Sequence, residues 1–340
     1  MKKNKFAACA AVLSAAALTF AGGCGGLNPN ETAATLNGRA ISLGLMNFAA
    51  QSEAVMYDAY YMPYYGTDMW TQDQGDGVTM ANDVLDEVVV KVKREYLLDE
   101  HMADYGVTIS DQELSAIDAA VEEFFAENSD EAIKKMGASK EVVREFLRLE
   151  LVEKKTGDAI KATADTTVTD EEAAQRTFSY YRIELPEAEA TDDEEADKVA
   201  LDALAATIAT AAKADFDSVA DEYDQTVLTY SYGEDEESFD EKVIEAADAL
   251  AEGEVSDLIK TENDFYYVIR LDKEFDQEAT DSRKEELAEE KKDEKLEDVI
   301  SGYEEAASWT PNDAVIGKIN FNNYYKMVSD ETTEAAETAG

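Results

Sequence analysis

The chain has 340 residues, with 77 Asp and Glu against 30 Lys and Arg, a formal charge of −47 at pH 7, one histidine and two cysteines. A field of that sign repels nucleic acid, and no basic cluster offsets it, so a nucleic-acid partner is excluded. One histidine leaves no Ser-His-Asp triad and no histidine metal centre, and there is no Gly-rich phosphate loop, so no cofactor or metal is expected.

The N-terminus reads as a targeting segment. Lys2, Lys3 and Lys5 precede an apolar run from Phe6 to Ala21, then Gly22, Gly23 and Cys24. The run is short for a membrane span, which needs roughly 20 apolar residues. Lysines, apolar run and small residues before a cysteine form a signal peptide over residues 1–23. Cys24 is then the lipidated first residue of the mature chain, with residues 24–33 as its tether. The expected location is extracytoplasmic, at the outer face of the cytoplasmic membrane, held through the lipid on Cys24. Cys9 leaves with the signal, so the mature chain has no disulfide and no thiol nucleophile. The acidic surface keeps the protein soluble; attraction of cationic clients or cations is the alternative.

Residues 34–165 read as a helical domain. Asn37-Gly38 between short extended runs predicts a hairpin. Ser42 caps a helix carrying Leu45, Phe48, Val55 and Met56. Residues 73–77 form a Gly-rich acidic loop without the ligand spacing of an EF-hand. Val84, Val88, Val92 and Tyr96 recur at helical spacing beyond it. Ser110 with Glu113 is a capping box, and Ser139 starts a further helix. Thr169 with Glu172 is another box. Strands are predicted over 177–185, 227–232 and 265–271, with helices over the Ala-rich stretch to Ala214, over 216–223 and over 242–250. Short strands mixed with helices argue an α+β domain over 166–278. Residues 279–328 form a charged helix interrupted at Gly302 and a late strand over 315–321, and 329–340 a disordered acidic tail.

Ala251-Glu252-Gly253-Glu254-Val255-Ser256, followed by Tyr266-Tyr267-Val268-Ile269-Arg270-Leu271, resembles the closing segment of a parvulin domain. The upstream pieces fall in that family's order: a strand at 180–185, Phe216-Asp217-Ser218-Val219-Ala220 before Glu222-Tyr223, and the helix before Leu250. Signal, hairpin, helical domain, parvulin-like domain and returning helix together resemble the PrsA-like and SurA-like foldases. That resemblance implies a mostly helical chaperone domain with an inserted α+β domain, and the activity of a peptidyl-prolyl cis-trans isomerase. It implies unfolded or newly secreted polypeptides as partners, and a possible homodimer.

The family sets two histidines in the sheet, beside an acidic or thiol residue and an aromatic. Here the first histidine position falls at Arg182 or, shifted by one, Tyr181, and the second at Tyr267. The acidic position falls at Asp224 and the aromatic floor at Tyr232. With both histidines replaced, weak or absent isomerase activity is expected, and the domain serves for binding or spacing. His101, on the Val-rich helix, reads as a helix-surface residue. Tyr60, Tyr61, Tyr64, Tyr65 and Trp70 form a second candidate, an adaptable aromatic surface for apolar client segments, unless these rings pack the core. The rival readings are a non-catalytic surface scaffold with one defined partner, and a solute-binding lipoprotein, which needs two similar α/β lobes.

Overall fold

In the computed structural model the described residues are 27–186, 190, 191, 193–234, 236 and 238–326. The expected signal segment, Cys24 and the tail over 329–340 lie outside them. The chain divides into two units, residues 1–164 with 294–340, and residues 165–293. The fold is mostly helical with a small strand-containing unit, the expected α+β class. No helix among the described residues is long and apolar enough to cross a membrane.

The first unit opens with strands β1 (Thr32–Leu36) and β2 (Arg39–Ser42). Asn37 and Gly38 both take positive φ, 48° and 85°, which a two-residue hairpin turn requires. Ser42 then accepts a hydrogen bond from the Leu45 amide at 3.2 Å and caps helix α1 (Leu43–Tyr60). Pro63 lies in the first turn of the short helix α2 (Met62–Tyr65). The acidic loop becomes a small hairpin, β3 (Asp73–Gly75) with β4 (Val78–Thr79). A Thr79–Asn82 capping box starts α3 (Met80–His101), and the expected Ser110–Glu113 box starts α4 (Asp111–Glu127). Helices α5 (Asp130–Met136) and α6 (Lys140–Lys161) follow, capped by Ser129 and Ser139. One core joins β1, β2 and the apolar stripes of α1, α3, α4 and α6.

The second unit begins with the Thr169–Glu172 pair. Its reciprocal bonds form, but they close an isolated turn and no helix follows. Next come β5 (Arg176–Ile183), α7 (Glu194–Ala214), α8 (Val219–Glu222), β6 (Leu228–Tyr232), α9 (Glu241–Ala249), β7 (Ile259–Lys260) and β8 (Tyr266–Lys273). The strands form one antiparallel sheet in the order β6-β5-β8-β7. Successive side chains of a strand point to opposite faces, so the sheet has two different surfaces. Tyr181, Ile183, Tyr266 and Val268 pack with Ala205, Ile208 and Ala212 of α7 on one face. Phe178, Tyr232, Tyr267, Ile269 and Leu271 pack with Val243 and Ala247 of α9 on the other.

Helix α10 (Gln277–Ala306) leads back into the first unit. It continues through Gly302, against the expected interruption. A helical glycine costs only about 1 kcal/mol, and Leu296, Ile300 and Val299 pack with Leu98, Val152 and Ile160 on the preceding turns. Strand β9 (Trp309–Pro311) then pairs with β1, completing a sheet of order β2-β1-β9. The strand expected over 315–321 is instead the short helix α11 (Asp313–Ile316) followed by irregular chain. Ile316, Ile319 and Phe321 are all buried, at spacings of three and two that fit neither period. The segment is held by polar groups: Gln51 Nε2 donates to the Asn320 carbonyl, and the Tyr325 hydroxyl donates to Gln51 Oε1 at 2.8 Å.

Candidate functional site

The turn before β8 explains the Gly-Glu-Val-Ser motif. Gly253 has φ +83°, a conformation costly for residues with a Cβ. Its amide donates to the Leu271 carbonyl at 2.7 Å, and the Leu271 amide donates to the Glu254 carbonyl at 3.1 Å. The Glu254 carboxylate accepts from the Ala251 amide, and Ser256 Oγ accepts from the Ile269 amide at 3.0 Å. Each motif residue thus fastens the turn to β8 and fixes where Tyr267 and Ile269 point.

Tyr267 faces α9 together with its directly paired neighbour Arg182, and the next pair along that face is Ile269 with Tyr180. Six aromatic rings collect there. Tyr180 lies 6.0 Å from Tyr267 and 5.2 Å from Phe239, centroid to centroid; Phe239 lies 5.9 Å from Tyr267, 4.6 Å from Tyr230 and 5.6 Å from Phe178. Tyr232 packs on Phe178 at 5.6 Å. Edge-to-face and tilted pairs at these distances are attractive beyond their buried area. Helix α9 has only nine residues and covers part of the face. Tyr180, Tyr230 and Phe239 remain half-exposed, whereas Phe178, Tyr232 and Tyr267 are buried.

The sequence-predicted positions separate on this sheet. Tyr267 is on the aromatic face, and burial raises its pKa. Tyr232 is there too, but its hydroxyl donates to Asp248 Oδ1 at 2.9 Å, and burial followed by that bond raises its pKa. Arg182 shares the face at its solvent edge, stacked over Phe265 at 4.1 Å and paired with Glu184 at 3.3 Å. Tyr181 departs from the expectation: it points to the opposite face, fully buried, and donates to the Phe216 carbonyl at 2.7 Å. Asp224 lies in the turn between α8 and β6. It is exposed just after α8, with φ 52°, and makes no hydrogen bond or ion pair. The residues missed were Tyr180, Tyr230 and Phe239. Counting back by two from Arg182 along β5 gives Tyr180; Phe239 lies in irregular chain and carries no periodic signal.

Arg176 holds α9 over the sheet. Its guanidinium donates to the carbonyls of Ala247 and Leu250 at 3.3 and 3.1 Å and to Asp248 Oδ1 at 3.1 Å. Ala247 lies in the last turn of the helix, where its carbonyl also accepts from the Leu250 amide, and Leu250 is the cap residue, so Arg176 adds partners where helix carbonyls begin to run out of them. The resulting face is an apolar floor rimmed by phenol groups. Neutral phenols donate and accept hydrogen bonds, so the face is suited to a proline ring and its flanking carbonyls. It offers no base.

The second candidate lies in the first unit. Tyr60, Tyr64 and Tyr65 are 62%, 84% and 68% exposed, Tyr61 is 47% exposed, and with Met56 and Tyr57 they line an open groove. Trp70 is a correction: it is 1% exposed, stacked on Phe321 at 4.6 Å, with Nε1 donating to Asp58 Oδ1 at 2.8 Å. An indole with a buried carboxylate acceptor belongs to the core. His101 lies at the end of α3, 2.7 Å from Asp104 and stacked on Tyr303.

Residues 171–275 match the family described as the PPIC-type PPIASE domain. Similar solved structures include the foldase protein PrsA from Streptococcus pneumoniae, 19% identical over 69% of this chain and 92% of that one, TM-score 0.30. PrsA from Lactococcus lactis is 17% identical over 91% and 98%, TM-score 0.31. A SurA-like chaperone of Campylobacter jejuni, from the pair PEB4 and Cj1289, is 12% identical over 83% and 99%, TM-score 0.32. No curated protein matches the chain.

Proposed function

We propose that this chain, whose residues 171–275 form a PPIC-type domain, is a membrane-anchored extracytoplasmic foldase that binds unfolded secreted polypeptides. The observation that carries the reading is the aromatic face of that domain, with Tyr180 and Tyr267 flanking Phe239. Rotating an X-Pro bond means crossing a barrier of about 18–20 kcal/mol set by amide resonance. Catalysis requires only that the twisted amide be bound better than the planar one. Phe239 and Tyr180 supply a surface for the ring, and the phenol hydroxyls supply donors. The chain's one histidine, His101, lies outside this domain, and burial keeps Tyr267 neutral. Isomerisation is therefore weak, and holding client chains is the main activity. The exposed tyrosines of the first unit form a second contact for apolar client segments. Anchoring is through lipid on Cys24. The solute-binding alternative has no support, since the described parts of the two units are not similar α/β lobes.

The test follows prolyl cis/trans exchange in a short proline peptide by NMR, together with aggregation of an unfolded client, with the purified chain present. Uncatalysed exchange takes roughly 10–100 s. The expected result is suppressed aggregation, weakened in a Tyr64→Ser, Tyr65→Ser variant, with at most modest acceleration that falls in Tyr180→Phe and Tyr267→Phe. A folded chain that neither accelerates exchange nor suppresses aggregation overturns the proposal.

A further inference from the structure

The first unit holds three carboxylates whose arrangement its fold does not explain. Glu95 lies on α3, Glu150 and Glu153 lie on α6, and one oxygen from each falls within 4.8 Å of the others. Glu95 is 1% exposed. Its Oε1 is buried without a hydrogen-bond donor. Burial, and after it the charge of Glu150, pushes its pKa up to about 8, with Lys91 opposing. A buried carboxylate without a donor is unfavourable for folding and must hold either a proton or a cation.

The neighbouring basic groups each have a second acidic partner. Lys91 Nζ is 2.6 Å from Glu150 and 3.9 Å from Glu53. Arg94 Nε is 3.4 Å from Glu153, while its Nη1 is 2.7 Å from Glu297. Both can leave the three carboxylates and keep a partner. We propose that Glu95, Glu150 and Glu153 form a site for a hard divalent cation of the Ca²⁺ class, which releases Lys91 to Glu53 and Arg94 to Glu297. Ca²⁺ takes oxygen ligands at about 2.3–2.6 Å in flexible geometry, so opposed ligands stand about as far apart as these carboxylates do. Glu150 and Glu153 are 37% and 29% exposed at their side chains, which leaves one side open to water ligands. Mg²⁺, at about 2.0–2.1 Å and strictly octahedral, fits the spread less well.

The experiment is calorimetric titration of the EDTA-stripped full chain with CaCl₂ at pH 7, in two buffers of different ionisation enthalpy. The expected result is one saturable site that releases close to one proton per ion. Glu95→Gln loses both the site and the proton release; Lys91→Met keeps the site and binds at least as tightly. Glu153→Gln, expected to weaken binding more than tenfold, serves if Glu95→Gln does not fold by circular dichroism. Absence of Ca²⁺ binding to the folded wild type overturns the proposal. So does binding unchanged in Glu95→Gln without proton release, which is screening of an acidic surface.

Discussion

Glu95→Gln tests the cost of the buried carboxylate directly when no divalent ion is present. In the folded chain its pKa is about 8 against an ordinary value of 4.5. Below pH 4.5 both folded and unfolded states are protonated, and Glu95 contributes no pH dependence. Between 4.5 and about 8 only the unfolded state releases the proton, so stability present at low pH is lost as pH rises. Each unit is worth about 1.4 kcal/mol, so at pH 7 the loss is roughly 3 kcal/mol. Burial comes first, then Glu150 from α6 raises the value, Lys91 from α3 lowers it, and Glu153 and Glu145 from α6 raise it; Lys91 is in turn 3.9 Å from Glu53 of α1, and Arg94 of α3 is 2.7 Å from Glu297 of α10. Glutamine imitates the protonated acid in size and donors. Urea unfolding in EDTA, followed by tryptophan fluorescence, reports the correct unit because Trp70 and Trp309 both belong to it. The variant is expected to match wild type near pH 4.5 and to exceed it by about 1.4 kcal/mol more for each unit up to pH 8. A gap that stays constant from pH 5 to 8 refutes the reasoning.

Asp58 is the opposite case, a buried carboxylate whose oxygens accept from Trp70 Nε1 at 2.8 Å and from the Tyr325 amide at 2.6 Å. Asp58→Ala orphans both donors, at roughly 1–3 kcal/mol each, and urea unfolding is expected to show a loss of roughly 2–6 kcal/mol. A loss under about 1 kcal/mol refutes the assignment. Gly253→Ala meets no atom within 4 Å of the new Cβ, so only the positive φ opposes it. The expected cost is about 1 kcal/mol, read by circular dichroism on unfolding of the second unit, with aromatic-face binding retained.

Local chemistry made much of the fold legible. Asn37-Gly38, Ser42, Ser110 with Glu113, and Ser139 each specify a turn or cap within four residues, and each forms as expected. Thr169 with Glu172 shows the limit, because the chain after it is already buried at Ala173, tied at Gln175 to Thr280 and Asp276, and taken into β5 from Arg176. The site was less legible for a different reason. Tyr180, Tyr181 and Arg182 are adjacent in sequence, yet only strand register decides which of them shares a face with Tyr267, and that register depends on β8, some 85 residues later. Trp70 reads as one more ring in an aromatic run; its burial is decided by Asp58 and Phe321, and the latter is remote in the chain.

That remoteness has a consequence for how the molecule comes into being. Strand β1 can pair with β2 as soon as the hairpin is made, but its other edge waits for Trp309–Pro311. Trp70 waits for Phe321, and Asp58 waits for the Tyr325 amide. All of residues 165–293 are synthesised in the interval, and their sheet needs nothing from outside that stretch. The second unit is therefore free to fold first, reversing the usual N-terminal-first order. Until its last residues arrive, the N-terminal portion is an incomplete apolar assembly. For that interval the protein has the needs of a client.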